Sequence, residues 1–218
     1  MKLQRLGGYA SIASVLFPFI IPFLIFLSAK SVRGPLNNDP TMLMAAYSAT
    51  PVISLVIGLL FIIWQILGQM ITVLALHERM QTHAPLLTRL MLIAASACTV
   101  TITMYSVISI VGNGMIAPTQ DVSAYRALLA ITTGLLITVG ILSAWNCLFI
   151  GCAILKTQSL SRALGWLYLL TGMLWMLHFM FSLIAIHFVF LGIASVWTGI
   201  ALLRQKQPQP AAKAMAAS

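Results

Sequence analysis

Residues 163–203 read ALGWLYLLTGMLWMLHFMFSLIAIHFVFLGIASVWTGIALL, a run of 41 residues that contains no Asp, Glu, Lys or Arg. A helix that crosses a lipid bilayer needs about 20 apolar residues. The run is therefore either two membrane-spanning helices or one of unusual length. The choice fixes the number of membrane crossings and the side of the membrane on which the C-terminus lies.

The composition indicates a membrane protein. Hydrophobic residues make up 61% of the sequence and charged residues 7%, whereas a soluble domain carries about 25% charged residues. A chain with so few charges cannot cover its outside with water-binding groups, so its partner must be the lipid bilayer. The formal charge of +9 does not indicate nucleic-acid binding, because the basic residues are scattered singly or in pairs between apolar runs.

Four further spans are predicted before residue 163. The first, Gly8–Ala29, contains Pro18 and Pro22, which predict a kink. Its apolar run is too long for a signal peptide, whose apolar core has about 7–15 residues, so we expect a retained helix. The other three predicted spans are Pro51–Leu76, Leu86–Val111 and residues 121–156.

Short local signals mark the connections between spans. Asp39-Pro40 predicts a helix start, with a short interfacial helix over Thr41–Ala49. Thr50-Pro51 repeats that signal at the start of the second span. Gly112-Asn113-Gly114 predicts a turn after the third span. Within the 41-residue run, we expect a tight turn near Phe181–Ala185.

The positive-inside rule favours two spans in the 41-residue run. With six spans in total, nine basic residues lie on one side of the membrane and three on the other. With five spans each side would hold six, without the bias that multi-span proteins show. We therefore predict an all-α polytopic membrane bundle of six transmembrane helices over residues 1–205, with both termini cytoplasmic and a disordered tail over residues 206–218.

The polar residues suggest one candidate site. No charged residue lies deep in a predicted span, which argues against a proton pump or an ion-coupled carrier. Uncharged polar residues instead form stripes at helical spacing on the second, third and fourth spans. The candidate polar layer that follows consists of Gln65, Gln69, Thr99, Thr103 and Asn146.

Two residues of this layer, Gln69 and Asn146, are predicted to lie at the same depth, where their side chains can form a hydrogen bond. Small and hydrogen-bonding residues at helical spacing are typical of close helix packing in lipid. The alternative is a polar pocket along the path of a small solute. Both interpretations remain open from the sequence.

The histidines give no clear metal site. His77 and His83 fall in the second cytoplasmic loop, where a solvated, charged connector is expected. His178 and His187 flank the predicted turn of the 41-residue run. We expect interfacial anchoring and turn capping from them, with haem or metal binding and proton handling as the alternatives. The chain carries no recognisable catalytic motif, so we expect neither enzymatic activity nor a cofactor.

Three segments carry a resemblance to a known family: RLGGYASIASVLF at the start, ALHERMQTHAPLLTRLMLI between the second and third spans, and SRALGWLYLLTGMLWML at the fifth. They resemble short bacterial six-helix membrane proteins catalogued only as a domain of unknown function of the 4386 type. The resemblance implies a six-span fold in the bacterial cytoplasmic (inner) membrane. It implies no activity, cofactor or functional residue.

The leading functional expectation is a non-catalytic integral membrane protein, either structural or accessory to a membrane complex, with a membrane-protein partner or a second copy of itself. The alternative is a small neutral-solute carrier or channel that uses the polar layer. A haem-binding redox subunit is the third expectation.

Overall fold

The computed structural model describes residues 2–17, 20–21, 24, 39–181 and 184–204, with side chains at 178–187 outside the description. Every regular element in these residues is a helix, which confirms the all-α prediction. The predicted Pro18 and Pro22 kink, the centre of the predicted turn at 182–183 and the tail at 206–218 fall outside the described residues. The helices are α1 (Lys2–Ser14), α2 (Pro40–Ala49), α3 (Pro51–Met80), α4 (Pro85–Ile116), α5 (Val122–Thr157), α6 (Arg162–Phe181) and α7 (Ile184–Arg204).

Three of these helices, α3, α4 and α5, are long and apolar enough to cross a membrane. At about 1.5 Å per residue, each exceeds the ~30 Å thickness of the hydrocarbon core. Large apolar side chains stand exposed along them, including Val52, Leu86 and Met115, each at least 69% exposed. Such surfaces are expected on helices that face lipid. The apolar stretches described in α6 and α7 are shorter.

The 41-residue run forms two helices, as predicted. Helix α6 ends at Phe181 and α7 begins at Ile184. The two helices run antiparallel, because the Tyr168 hydroxyl lies 2.9 Å from the Thr198 hydroxyl and the ring of Trp175 lies 6.0 Å from that of Phe188. The run is therefore a helical hairpin.

Small residues determine how α1 packs between α3 and α7. Gly7 faces Ala75 of α3, and Gly8 lies so close to α7 that an added Cβ would come 3.0 Å from the Gly199 carbonyl oxygen. The Ser11 hydroxyl donates a hydrogen bond of 2.8 Å to the backbone carbonyl of Ser195. Small residues of this kind permit close helix approach in lipid, where the hydrophobic effect does not drive helices together.

Successive helices from α3 to α7 run antiparallel to one another, and α1 runs antiparallel to α3 and α7, which gives the bundle two distinct ends. The start of α1, the α3–α4 turn, the α5–α6 loop and the end of α7 lie at one end, here called the basic end. Helix α2 and the α4–α5 connection lie at the other, here called the outer end. The described basic residues of the basic end are Lys2, Arg5, Arg79, Arg89, Lys156, Arg162 and Arg204, whereas the outer end has Arg126.

Aspartate side chains cap the starts of α2 and α5, and the cap at Asp39 is the predicted one. The Asp39 carboxylate accepts a 2.9 Å hydrogen bond from the Thr41 N–H, and α2 starts at Pro40. The Asp121 carboxylate accepts bonds of 2.9 and 3.0 Å from the N–H groups of Ser123 and Ala124. Thr50 differs, because its hydroxyl donates back to the Ala46 carbonyl instead of capping α3.

The prediction of a turn at Gly112-Asn113-Gly114 is wrong, because α4 continues through all three residues to Ile116. Gly112 instead makes room for Leu128 of α5, whose side chain occupies the position of its missing Cβ. The chain turns farther on, where Gln120 adopts a left-handed conformation with φ of 59°. Close packing between helices thus explains a glycine that local sequence rules assign to a loop.

Gly151 on α5 tests this packing. A Cβ added there would lie 2.8 Å from the backbone carbonyl oxygen of Gly165 on α6, whereas a Cβ at Gly134 would meet nothing within 4 Å. We expect Gly151→Ala to lower the unfolding free energy by about 1–3 kcal/mol through overpacking. Gly134→Ala should be neutral or stabilising, because alanine favours helix. Unfolding by SDS in mixed micelles measures both, and equal stabilities would contradict the close contact.

Asp121 makes stability at the outer end depend on pH. The Ala124 N–H, with the Ser123 hydroxyl and N–H, lowers the pKa of this carboxyl below its usual 3.8. A lowered folded-state pKa stabilises the fold above the unfolded-state pKa, and this stability is lost as pH falls through the folded-state value. We expect Asp121→Ala to melt at a lower temperature than the parent at pH 7. The difference should shrink below about pH 3.8, and a constant difference would contradict the role of the charge.

Candidate functional site

The centre of α3 is a π-helical segment, Gln65–Ile71, between two α-helical segments. Here the helix widens to accommodate an extra residue, and the Thr72 hydroxyl donates a 3.2 Å bond to the carbonyl of Leu67, five residues back. Such segments are frequent at functional sites. The polar stripes were predicted from a rotation of 100° per residue along the whole helix, so they do not include this change of register.

The predicted hydrogen bond between Gln69 and Asn146 is present: the Asn146 Nδ2 group donates to Gln69 Oε1 and joins α3 to α5. Asn146 is fully buried. Its remaining oxygen, Oδ1, has no hydrogen-bond partner in the described part of the chain. The pair is therefore a buried hydrogen bond between two helices, beside which Asn146 Oδ1 is an acceptor with no donor among the described residues.

Gln65 lies one turn earlier on α3 and is also buried. Its side chain lies against the Cys98 thiol of α4, whose Sγ atom is 3.1 Å from the Ser143 hydroxyl of α5. Its Nε2 group finds no hydrogen-bond acceptor among the described residues. Gln65, Cys98 and Ser143 thus bring polar atoms of three helices together.

The two threonines of the predicted layer behave differently. The hydroxyls of Thr99 and Thr103 each donate a 2.8 Å hydrogen bond to the carbonyl four residues earlier on α4, that of Ala95 or Thr99. Their hydroxyl protons are therefore used within their own helix. Sequence periodicity placed them on a polar stripe, but it could not show that their own backbone would satisfy them.

A small cavity of about 30 Å³, here called the inner cavity, lies beside Gln69. Its volume suits a single water molecule. Trp64 and Tyr168 contribute large rings to its wall, and its polar groups are uncharged. The lining side chains and backbone come from Ser14, Val15, Trp64, Gly68, Gln69, Thr72, Val73, Cys147, Ile150, Tyr168, Leu191, Gly192 and Ser195.

A second cavity of about 70 Å³, here called the outer cavity, lies under α2 at the outer end. The Tyr125 hydroxyl donates a 3.1 Å bond to Asn113 Oδ1, and the Asn113 amide nitrogen lies 3.4 Å from the Ser54 hydroxyl. The predicted polar layer does not include this group, although Tyr47, Tyr105 and Tyr125 all lie near predicted outer helix ends. Its lining residues are Tyr47, Ser54, Ile57, Gly58, Phe61, Tyr105, Ser109, Asn113, Tyr125, Leu128, Leu129 and Thr132.

The basic end corrects one expectation for the second loop. Arg79 is half-buried and not a solvated connector: its Nη2 donates a 2.5 Å hydrogen bond to the Ser159 carbonyl in the α5–α6 loop. His83 is exposed, with its Nδ1 2.8 Å from the Thr82 hydroxyl. The side chains of His178 and His187 lie outside the description. Among the residues that are described, no three His, Cys, Asp or Glu side chains are grouped as a metal site would require.

Comparisons with protein-family models, curated proteins and solved structures give no match to this chain. The resemblance carried by the three quoted segments therefore stays a proposal.

The Gln69–Asn146 bond can be measured by a double-mutant cycle. We expect Gln69→Leu and Asn146→Leu to couple by about 0.6 kcal/mol in unfolding free energy, the average for hydrogen bonds between membrane helices, and by at most about 1.7 kcal/mol. Gln69→Leu combined with Thr103→Val is the control, and its effects should add, because the Thr103 hydroxyl is bonded within α4. Additive losses in the first pair would mean that the contact contributes nothing.

Proposed function

We propose that the chain is a six-span integral membrane protein of the bacterial cytoplasmic membrane, with both termini in the cytoplasm. The division of charge between the two ends of the bundle supports this orientation. Cytoplasmic segments of membrane proteins are enriched in Lys and Arg, and seven described basic residues lie at the basic end against Arg126 at the outer end.

Within that membrane, the proposed function is non-catalytic: a structural protein or an accessory subunit of a membrane complex. The observation that carries this proposal is the Gln69–Asn146 hydrogen bond beside a cavity with room for one water molecule. In a polar layer that serves packing, the side chains form hydrogen bonds between helices. Gln69 and Asn146 form such a bond. Thr99 and Thr103 satisfy their hydroxyls within α4.

A small neutral-solute carrier or channel is the second candidate. One observation favours it: Phe61 lines the outer cavity and Trp64, one turn along α3, lines the inner cavity. Their ring centroids are 6.2 Å apart. A solute path between the cavities would require these two rings to separate.

Topology is tested with a C-terminal reporter. We expect alkaline phosphatase fused after Ser218 to be inactive and a green fluorescent fusion at the same position to fluoresce, because both report a cytoplasmic C-terminus. The same reporters placed after residue 120 should give the opposite result. An active C-terminal phosphatase would overturn the six-span proposal.

Thiol labelling separates the two functional candidates. Cys98 and Cys147 are both buried, but Cys147 lines the inner cavity and Cys98 lines neither cavity. Two variants each keep one of these cysteines, with the others changed to alanine, and are treated in membranes with an impermeant maleimide. The packing proposal predicts no labelling of either variant. Labelling of Cys147 alone would favour the carrier.

The accessory role has its own measurement. Purification in a mild detergent, followed by native electrophoresis, should give a defined complex larger than one copy of the chain. We expect the complex to contain either a second membrane protein or a second copy. The same measurement is made on native membranes extracted with a nanodisc-forming polymer. A chain that migrates only as a monomer in both preparations would contradict the accessory role.

A further inference from the structure

We propose that the outer cavity is a binding site for a small uncharged molecule that carries both hydrogen-bond donors and acceptors. This inference goes beyond the proposed function and does not depend on it, because a structural subunit and a carrier could each hold such a ligand. It rests on the arrangement of polar side chains around a volume that no side chain of the described chain fills.

Four helices contribute to the cavity. Helix α2 provides Tyr47, α3 provides Ser54, α4 provides Tyr105, Ser109 and Asn113, and α5 provides Tyr125 and Thr132. Polar groups removed from water destabilise a fold unless hydrogen bonds replace the lost water contacts. Seven polar side chains from four separate helices therefore converge on one volume, where a ligand can replace the water contacts that these groups lose.

The hydrogen bonds around the cavity leave both donors and acceptors available. Asn113 Oδ1 accepts from Tyr125, and the Asn113 amide reaches Ser54 with one of its two N–H groups. The second N–H and the Ser54 hydroxyl proton remain for a ligand. The Tyr47 hydroxyl makes no hydrogen bond within the described part of the chain. The Thr132 hydroxyl donates to the Leu128 carbonyl and keeps its acceptor capacity.

The lining also excludes charged ligands. Among the residues that line the cavity there is no Asp, Glu, Lys, Arg or His. A carboxylate or an ammonium group would lose its hydration there without meeting an opposite charge. Arg126 follows Tyr125 in sequence, but its side chain is exposed. The site should therefore discriminate by charge as well as by size.

The volume sets the size of the ligand. About 70 Å³ holds roughly two water molecules, or one organic molecule of about four non-hydrogen atoms. The inner cavity is less than half as large, and the Asn146 amide already bonds to the Gln69 side chain that lines it. The outer cavity is therefore the stronger candidate for a bound molecule.

The test uses acetamide, which has four non-hydrogen atoms, with acetate as a charged probe of the same shape. The full chain is reconstituted in nanodiscs and its thermal unfolding is followed over a concentration series. We expect acetamide to raise the melting temperature with half-saturation at about millimolar concentrations, since small ligands bind weakly. Acetate should give no saturable rise.

Two tyrosine variants locate the binding. Tyr47→Phe removes one hydroxyl from the cavity wall, whereas Tyr9→Phe makes the same change at a side chain that is 65% exposed elsewhere. We expect Tyr47→Phe to weaken half-saturation about fivefold, the effect of one hydrogen bond, and Tyr9→Phe to leave it unchanged. The proposal is overturned if acetamide gives no saturable shift, if acetate matches it, or if the two variants behave alike. Water alone would then occupy the cavity.

Discussion

Close approach of helix backbones holds this bundle together. In lipid the hydrophobic effect does not press helices together, so packing and hydrogen bonds must do so. Glycine and serine at Gly8, Ser11, Gly151 and Gly199 let carbonyl oxygens of one helix come within contact of the next. Helix α1 reaches its place between α3 and α7 in this way, and α5 reaches α6 likewise.

Polar side chains occupy the space that such packing leaves. Near the middle of the bundle, Gln69 and Asn146 bond to each other while Gln65 lies against Cys98. At the outer end, where α2 crosses over α3, α4 and α5, hydroxyls and one amide surround a larger cavity. The two levels differ in kind. The middle level joins helices to one another, whereas the outer level leaves hydrogen-bonding capacity directed at an open volume.

The sequence was most informative where the physical rule is local or depends on summed charge. The hairpin of α6 and α7 followed from the length of an uncharged run and the distribution of Lys and Arg, and the cap at Asp39 followed from a side chain that bonds to its own backbone. Depth alone placed Gln69 beside Asn146. Other features depend on residues distant in sequence. Gly112 lies in a helix where Leu128 packs on it, and the outer cavity forms where α2 packs against three other helices. No local pattern contains that information.

The π-helical segment Gln65–Ile71 has a consequence for how sequences related to this one could vary. A π turn is an α-helix with one residue inserted, so a single-residue deletion here would restore an ordinary helix. That deletion would also rotate everything after it by about 100° and shift it by about 1.5 Å. Ala75 would then no longer pack against Gly7, and the Arg79 side chain would no longer reach the Ser159 carbonyl. The extra residue thus sets the phase between two halves of α3, one facing the outer cavity and the other facing α1, and length changes in this segment should be far less tolerated than substitutions.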